Sequence, residues 1–270
     1  AESTNNILHS TPQTDINWRN KRKADCDLSL KGKEQAKLLN EFVRKNEFSY
    51  LLKSKSIFYT SPMKRCLETT YSIVSAIPNT IVHVNPKMYE FGGCYSMDGE
   101  KVITSTGMTK QEIESNYPGF VCPEEMNNGW YHYPHRETRL EFEKRAIELS
   151  NWILSLVDSE PDVSTSNNST NLMNSTTSTP TPQSVVQVPI PTSTSTYVFV
   201  LHGYLLTTLI NQLLYLKPSS CVLIHNNTGI THIELVKFQS GNRGSVLQYF
   251  NSLPHLHGRK DLLTGNDLIR

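Results

Sequence analysis

Apolar positions along the chain follow two rhythms, a recurrence every three or four residues and short unbroken runs. Their alternation predicts a layered α/β protein. Leu30, Leu38, Leu39, Phe42 and Val43 fall among polar residues, which predicts an amphipathic helix over Leu30–Val43. Met63, Leu67, Tyr71 and Val74 repeat in the same way and predict a helix over Met63–Ala76, with Pro62 in the first turn, where a missing N–H costs nothing. A third helix is expected over Thr138–Leu156, with Leu140, Ile147, Trp152, Ile153 and Leu156 on one broad face and Glu141 spaced to pair with Arg145. Short apolar runs predict strands at Ser56–Tyr59, Thr80–Val84, Tyr197–Leu201 and Ile230–Phe238. The last part of this pattern is the most informative. The Tyr197–Leu201 run passes through His202-Gly203 directly into an apolar helix, Tyr204–Leu216, which is the strand–turn–helix unit of a mostly parallel sheet. The glycine-bearing stretch from Tyr89 to Tyr131 reads as loop with one short helix near Thr109–Ser115, and the end of the chain from Leu247 shows no clear element.

Composition changes abruptly at Asp158. From there to Thr196 the chain is almost entirely Ser, Thr, Asn, Pro and Gln, and cannot bury enough apolar surface to offset the entropy of ordering. The expected organisation is therefore one domain made of residues 1–157 and 197–270, interrupted by a disordered insertion over 158–196.

Charge narrows the function classes. Lys and Arg number 26 against 25 for Asp and Glu, so no bulk attraction to nucleic acid or to an anionic membrane is expected. Arg19, Lys21, Arg22 and Lys23 form a basic run too short for a nucleic-acid arm. No apolar stretch approaches the length of a membrane helix. The five cysteines include no CxxC pair and are odd in number, which points to free thiols in a reducing compartment and a cytoplasmic location. Their spacing matches no zinc site, and neither a metal nor another cofactor is expected. Composition sets no oligomeric state.

Three short pieces carry candidate chemistry. Tyr59-Thr60-Ser61-Pro62-Met63-Lys64-Arg65, Tyr89-Glu90-Phe91-Gly92-Gly93 and Leu201-His202-Gly203 each follow a predicted strand, and ligands of α/β sheets gather outside the C-terminal strand ends. Arg65 offers a permanently charged, planar fork for phosphate oxygens near a helix N-terminus. His202 can donate to a phosphoryl oxygen, Gly203 allows close backbone approach, and Glu90 can exchange a proton with a leaving oxygen if burial raises its pKa.

These pieces, in this order, resemble the histidine phosphatase, or phosphoglycerate mutase-like, superfamily. Ala1-Glu2-Ser3-Thr4-Asn5-Asn6 is similar to the tail of its opening Arg-His motif, with Asn6 at the asparagine position. Asp27-Leu28-Ser29-Leu30-Lys31-Gly32, Ser61-Pro62-Met63-Lys64-Arg65-Cys66-Leu67-Glu68-Thr69, Glu90 with Gly92-Gly93, Glu137 with Arg145, and His202-Gly203 match later motifs. The resemblance implies a three-layer αβα sandwich with a mostly parallel sheet. It implies a phosphomonoester hydrolase working through a phosphohistidine, with Arg65, His202, Asn6 and Gly203 holding the phosphoryl group and Glu90 serving as acid and base. Arg22 is implied near the substrate, with Arg19 as the alternative. It also implies a chain truncated just after the first Arg-His, lacking the first central strand and inactive alone, since His9 lies several residues past the nucleophile's place. A phosphorylated small molecule or phosphoprotein is the implied partner. The alternative is a non-catalytic phosphate-binding or scaffold protein of the same fold. Residues from Phe91 to Tyr133 read as a substrate cap, with few basic residues to cradle a heavily phosphorylated substrate.

Overall fold

The structure, a computed structural model, describes residues 1–10, 18–45, 56–158, 195–217, 223–237 and 243–265. Nearly all of the expected 158–196 insertion lies outside the described residues. Cys221 is also outside them, and the other four cysteines are free thiols.

A three-layer α/β architecture is present. Its centre is a parallel four-stranded sheet in the order β5 (Phe120–Val121), β2 (Val82–Val84), β1 (Ile57–Thr60), β6 (Tyr197–Val200). Strand alternation sends side chains to two separate cores. Phe58, Val82, Val84, Val198 and Val200 face one core with α2 (Leu30–Arg44) and α3 (Lys64–Val74). Tyr59, Phe199 and Leu201 face the other, with α5 (Arg139–Asp158) and α6 (Gly203–Leu213). Such alternation from successive residues is what a strand between two helical layers requires.

Helix starts and close approaches follow from local chemistry. Ser29 caps α2 by accepting the Gly32 N–H. Gly32 itself has no room for a side chain, because a Cβ there would lie 1.9 Å from the Glu2 carbonyl oxygen. The segment around Glu2 thus packs flat on α2, and a seven-residue helix, α1 (Thr4–Ser10), continues from it. A capping box between Thr109 and Glu112 opens α4 (Lys110–Asn116).

Four expectations need correction. Residues Tyr89–Tyr131 are not only loop and helix. They hold β5 and a hairpin, β3 (Tyr95–Asp98) with β4 (Lys101–Thr104), turned at Gly99, whose φ is +59°. The end of the chain also has structure: β8 (Arg243–Ser252) pairs antiparallel with β7 (Ile230–Lys237). In α5 the buried apolar residues are Phe142, Ala146, Leu149 and Ile153, spaced by four, three and four, while Leu140 and Ile147 are exposed. Arg145 pairs with Glu137 and not with Glu141, whose carboxylate instead accepts from Thr138 and His135 at the start of the helix.

The β7–β8 pair is a sheet apart from the parallel one. β6 ends the parallel sheet and β7 belongs to the separate β7–β8 pair, yet Phe199 and Leu201 of one segment and Ile233 and Leu235 of the other pack on the same α5–α6 core. Among the described strands none bridges these two edges. No helix among the described residues is long and apolar enough to cross a membrane.

Candidate active site

β1 and β6 are hydrogen-bonded in parallel with Thr60 opposite Val200, so the turns leaving them emerge at one sheet edge. The Ser61 N–H donates to the Val200 carbonyl at 3.0 Å, tying the two turns together. One step further along, Ser61 Oγ and His202 Nε2 are 2.7 Å apart, and Cys66 Sγ lies 3.6 Å from the same nitrogen. His202 is only 6% exposed. Burial, reinforced by the nearby Arg65 charge, holds its pKa well below the usual histidine value, so the ring is neutral.

Glu90 reaches the same place from the loop after β2. Its Oε2 accepts the Tyr204 N–H at 3.2 Å, and its Oε1 accepts the Leu205 N–H at 3.3 Å and the Phe91 N–H at 2.8 Å. The carboxylate therefore sits at the N-terminus of α6, one turn from His202. Burial raises its pKa, while these N–H groups and Arg65 pull it back. Arg65 leads α3 and places Nη1 3.8 Å from Cys26 Sγ. Burial works against its charge, but Cys26, Cys66, Glu90 and Asp25 more than offset that and raise its pKa. It forms no salt bridge among the described residues. A permanently charged fork without a carboxylate partner, beside a neutral imidazole and a carboxyl of raised pKa, is suited to a phosphoryl group.

The loop that carries Glu90 is held by a buried ion pair. Arg145 donates through Nε and Nη2 to the two Glu137 oxygens at 2.7 and 2.8 Å, and through Nη1 to the carbonyls of Lys87 and Tyr89. Glu137 in turn accepts the Gly92 N–H at 3.2 Å. Gly93, at φ +75°, leaves space for Tyr131, whose ring a Cβ would meet at 2.0 Å.

The remaining expected site residues are placed less uniformly. The Asn6 carbonyl oxygen accepts from the N–H and hydroxyl of Ser3, both at 2.8 Å, so this atom is turned into α1. A Cβ on Gly203 would meet nothing, and its φ is not positive, so the glycine borders open space without being sterically required. Arg22 lies over the Tyr95 ring at 4.2 Å and within electrostatic reach of Arg65. The Arg19 side chain lies outside the described residues.

Ser61 and Asp25 were not singled out from the sequence. Ser61 stood inside the quoted Ser-Pro motif, so a signal existed. Asp25 had none. Its Oδ1 accepts the Lys64 N–H at 2.8 Å, and its buried Oδ2 has no hydrogen-bond partner. Burial raises its pKa from 3.8 to about 6 despite that bond and the Arg65 charge. The folded state thus holds a proton that the unfolded chain releases near pH 4, and stability falls as pH rises from about 4 through about 6. Asp25→Asn should match the parent protein below pH 4 and exceed it by roughly 2–3 kcal/mol near pH 7, in urea unfolding without phosphate. Equal stabilities at pH 7 would show that Asp25 is ionised there without penalty.

Among the described residues no group of three or more His, Cys, Asp or Glu is arranged to hold a metal ion. The profile of the histidine phosphatase superfamily, branch 1, matches residues 9–163. A mycobacterial glucosyl-3-phosphoglycerate phosphatase, solved with inorganic phosphate, is similar at 18% identity and a TM-score of 0.45, covering 88% of this chain and 93% of that one. An ecdysone phosphate phosphatase from Bombix mori, solved with tungstate, is similar at 17% identity and a TM-score of 0.44, covering 74% of this chain and 61% of that one. No curated protein matches.

Proposed function

This chain belongs to the histidine phosphatase superfamily, and on that premise we propose that it hydrolyses phosphomonoesters by way of a phosphohistidine. The observation that carries the reading is the meeting of Arg65, His202 and Glu90 at one sheet edge, with His202 joined to the β1 turn through Ser61 and Glu90 joined to the α6 N-terminus. In this reading Arg65 and neutral His202 hold the phosphoryl oxygens and offset charge that develops on them, which is where most of the acceleration of phosphoryl transfer arises. Glu90, whose pKa burial raises, gives a proton to the leaving alkoxide and then takes one from water as the phosphoenzyme is hydrolysed.

The nucleophile of this reading is the histidine of the family's opening Arg-His motif, whose tail residues 1–6 resemble. Support comes from the position of Ala1. Its backbone nitrogen donates to Thr69 Oγ1 at 3.2 Å, and it lies within electrostatic reach of Arg65, Cys66 and His202. The test is p-nitrophenyl phosphate hydrolysis by the chain given Arg-His ahead of Ala1, with quenching in alkaline detergent to trap an acid-labile, base-stable phosphoenzyme. Turnover with such an intermediate is expected. A folded, phosphate-binding protein with no turnover would overturn hydrolysis in favour of the phosphate-binding alternative.

A further inference from the structure

Ser61 stands where the chain leaves β1, between Thr60 and Pro62, and is 0% exposed. Pro62 has no N–H to offer, and the next residue takes its place: the Met63 N–H donates to Ser61 Oγ at 3.3 Å. The serine oxygen is thus already an acceptor, and its own proton is left to place. Burying a hydroxyl proton without an acceptor is costly. Among the described residues the one acceptor within hydrogen-bond distance of that proton is His202 Nε2, at 2.7 Å.

This contact decides the state of the ring. Burial and the Arg65 charge keep His202 neutral, so one nitrogen carries a proton and the other a lone pair. An Nε2 that accepts from Ser61 has the lone pair, which leaves the proton on Nδ1. Cys66 does not make the choice. Its Sγ lies 3.6 Å from Nε2 and 3.8 Å from Nδ1, almost equidistant and therefore aligned with neither. Among the described residues Nδ1 has no other hydrogen-bond partner. The opposite tautomer would put a lone pair on Nδ1, which repels a phosphoryl oxygen.

We propose that Ser61 is a positioning residue of the phosphoryl site: its hydroxyl donates to His202 Nε2 and so fixes the Nδ1–H tautomer, the form that donates to a phosphoryl oxygen held by Arg65. This rests on the phosphoryl reading of the Arg65 pocket. Both ends of the contact are set by the sheet. Thr60 is paired with Val200, and the Ser61 N–H donates to the Val200 carbonyl, so Ser61 and His202 leave their strands side by side.

Histidine-selective isotopic nitrogen labelling, read by NMR at neutral pH, tests this, because protonated and unprotonated ring nitrogens resonate far apart. The His202 signals are those lost in His202→Gln. In the parent protein Nδ1 should be protonated and Nε2 not, and the Nδ1 proton should shift on saturation with inorganic phosphate. Ser61→Ala should move the proton toward Nε2 and weaken phosphate binding at least about tenfold, as for one lost hydrogen bond to an anion. Ser61→Thr keeps the hydroxyl and should hold both the tautomer and the affinity. A protonated Nε2 in the parent protein overturns the proposal, and that spectrum decides even if Ser61→Ala fails to fold. A proton that stays on Nδ1 in Ser61→Ala also overturns it, since loss of packing alone would weaken binding without moving the proton. A parent Nδ1 proton that ignores saturating phosphate overturns the pocket reading instead, and with it the role built on that reading.

Discussion

Arg145→Met should destabilise the protein by about 3–5 kcal/mol, because it strands a buried carboxylate. The Glu137 side chain is 1% exposed and that of Arg145 is 8% exposed. The guanidinium satisfies both Glu137 oxygens and two backbone carbonyls at once, so its loss also leaves Lys87 and Tyr89 carbonyls without a donor. Removing both partners is different: Glu137→Met with Arg145→Met should recover much of the loss, since two apolar side chains leave no uncompensated charge. Urea midpoints of the two single variants and the double variant measure this. A single-variant loss below about 1 kcal/mol would mean that water reaches the pair and screens it. Because the same ion pair grips the loop on either side of Glu90, Arg145→Met should also weaken turnover in whatever fraction remains folded.

Glu90→Gln should lower kcat by about 10²- to 10⁴-fold, the usual worth of a positioned acid–base group, while changing phosphate affinity only a few-fold. A glutamine oxygen at the Oε1 place still accepts from Leu205 and Phe91, while the bond from the Tyr204 N–H to Oε2 is lost, so the side chain stays near the α6 N-terminus on two of its three bonds. What it cannot do is surrender a proton to the leaving oxygen. The loss should be larger for alkyl phosphates, whose leaving groups need the proton, than for p-nitrophenyl phosphate, whose leaving group does not. Equal losses for both classes would remove Glu90 as the acid of the first step and leave it only the base role in phosphoenzyme hydrolysis. The raised pKa of Glu90 adds a pH signature, with turnover of alkyl phosphates falling as pH climbs through that value.

The sheet edge that carries this candidate site was legible in the sequence. Arg65, Glu90 and His202 each follow an apolar run, and a parallel sheet places the ends of such runs on one edge. The pairing of Thr60 with Val200 realises that geometry directly. Resemblance supplied the order of the motifs and marked Glu137 and Arg145 as one of them, while their ion pair is seen only in the fold. Periodicity alone chose the wrong partner, because Glu141 is spaced well for Arg145 but is used to open α5. The same helix shows why an apolar face is hard to choose from spacing. Leu140 and Ile147 are as apolar as the residues that pack, yet the α6 neighbours select Phe142, Ala146, Leu149 and Ile153.

Other parts could not be read because loops decide them. Asp25 and Arg136 lie in segments without periodicity, and only the folded path of those segments brings Arg136 to the Tyr95 ring on which Arg22 also lies. The β3–β4 hairpin had a partial signal in Asp98-Gly99, a dipeptide suited to a tight strand turn, but its strands are four residues each and weakly apolar. The separation of β6 from β7 has no sequence signal, since each run is simply strand-like on its own.

The central claim is that Arg65 and His202 grip one phosphoryl group while Glu90 faces its ester oxygen. Titration of inorganic phosphate into the folded protein, followed by calorimetry, tests it most directly. The account predicts saturable binding at one site, a loss of at least about tenfold with Arg65→Leu, consistent with a lost charge-assisted hydrogen bond, and little change with Glu90→Gln. Phosphate binding that Arg65→Leu leaves untouched would contradict it.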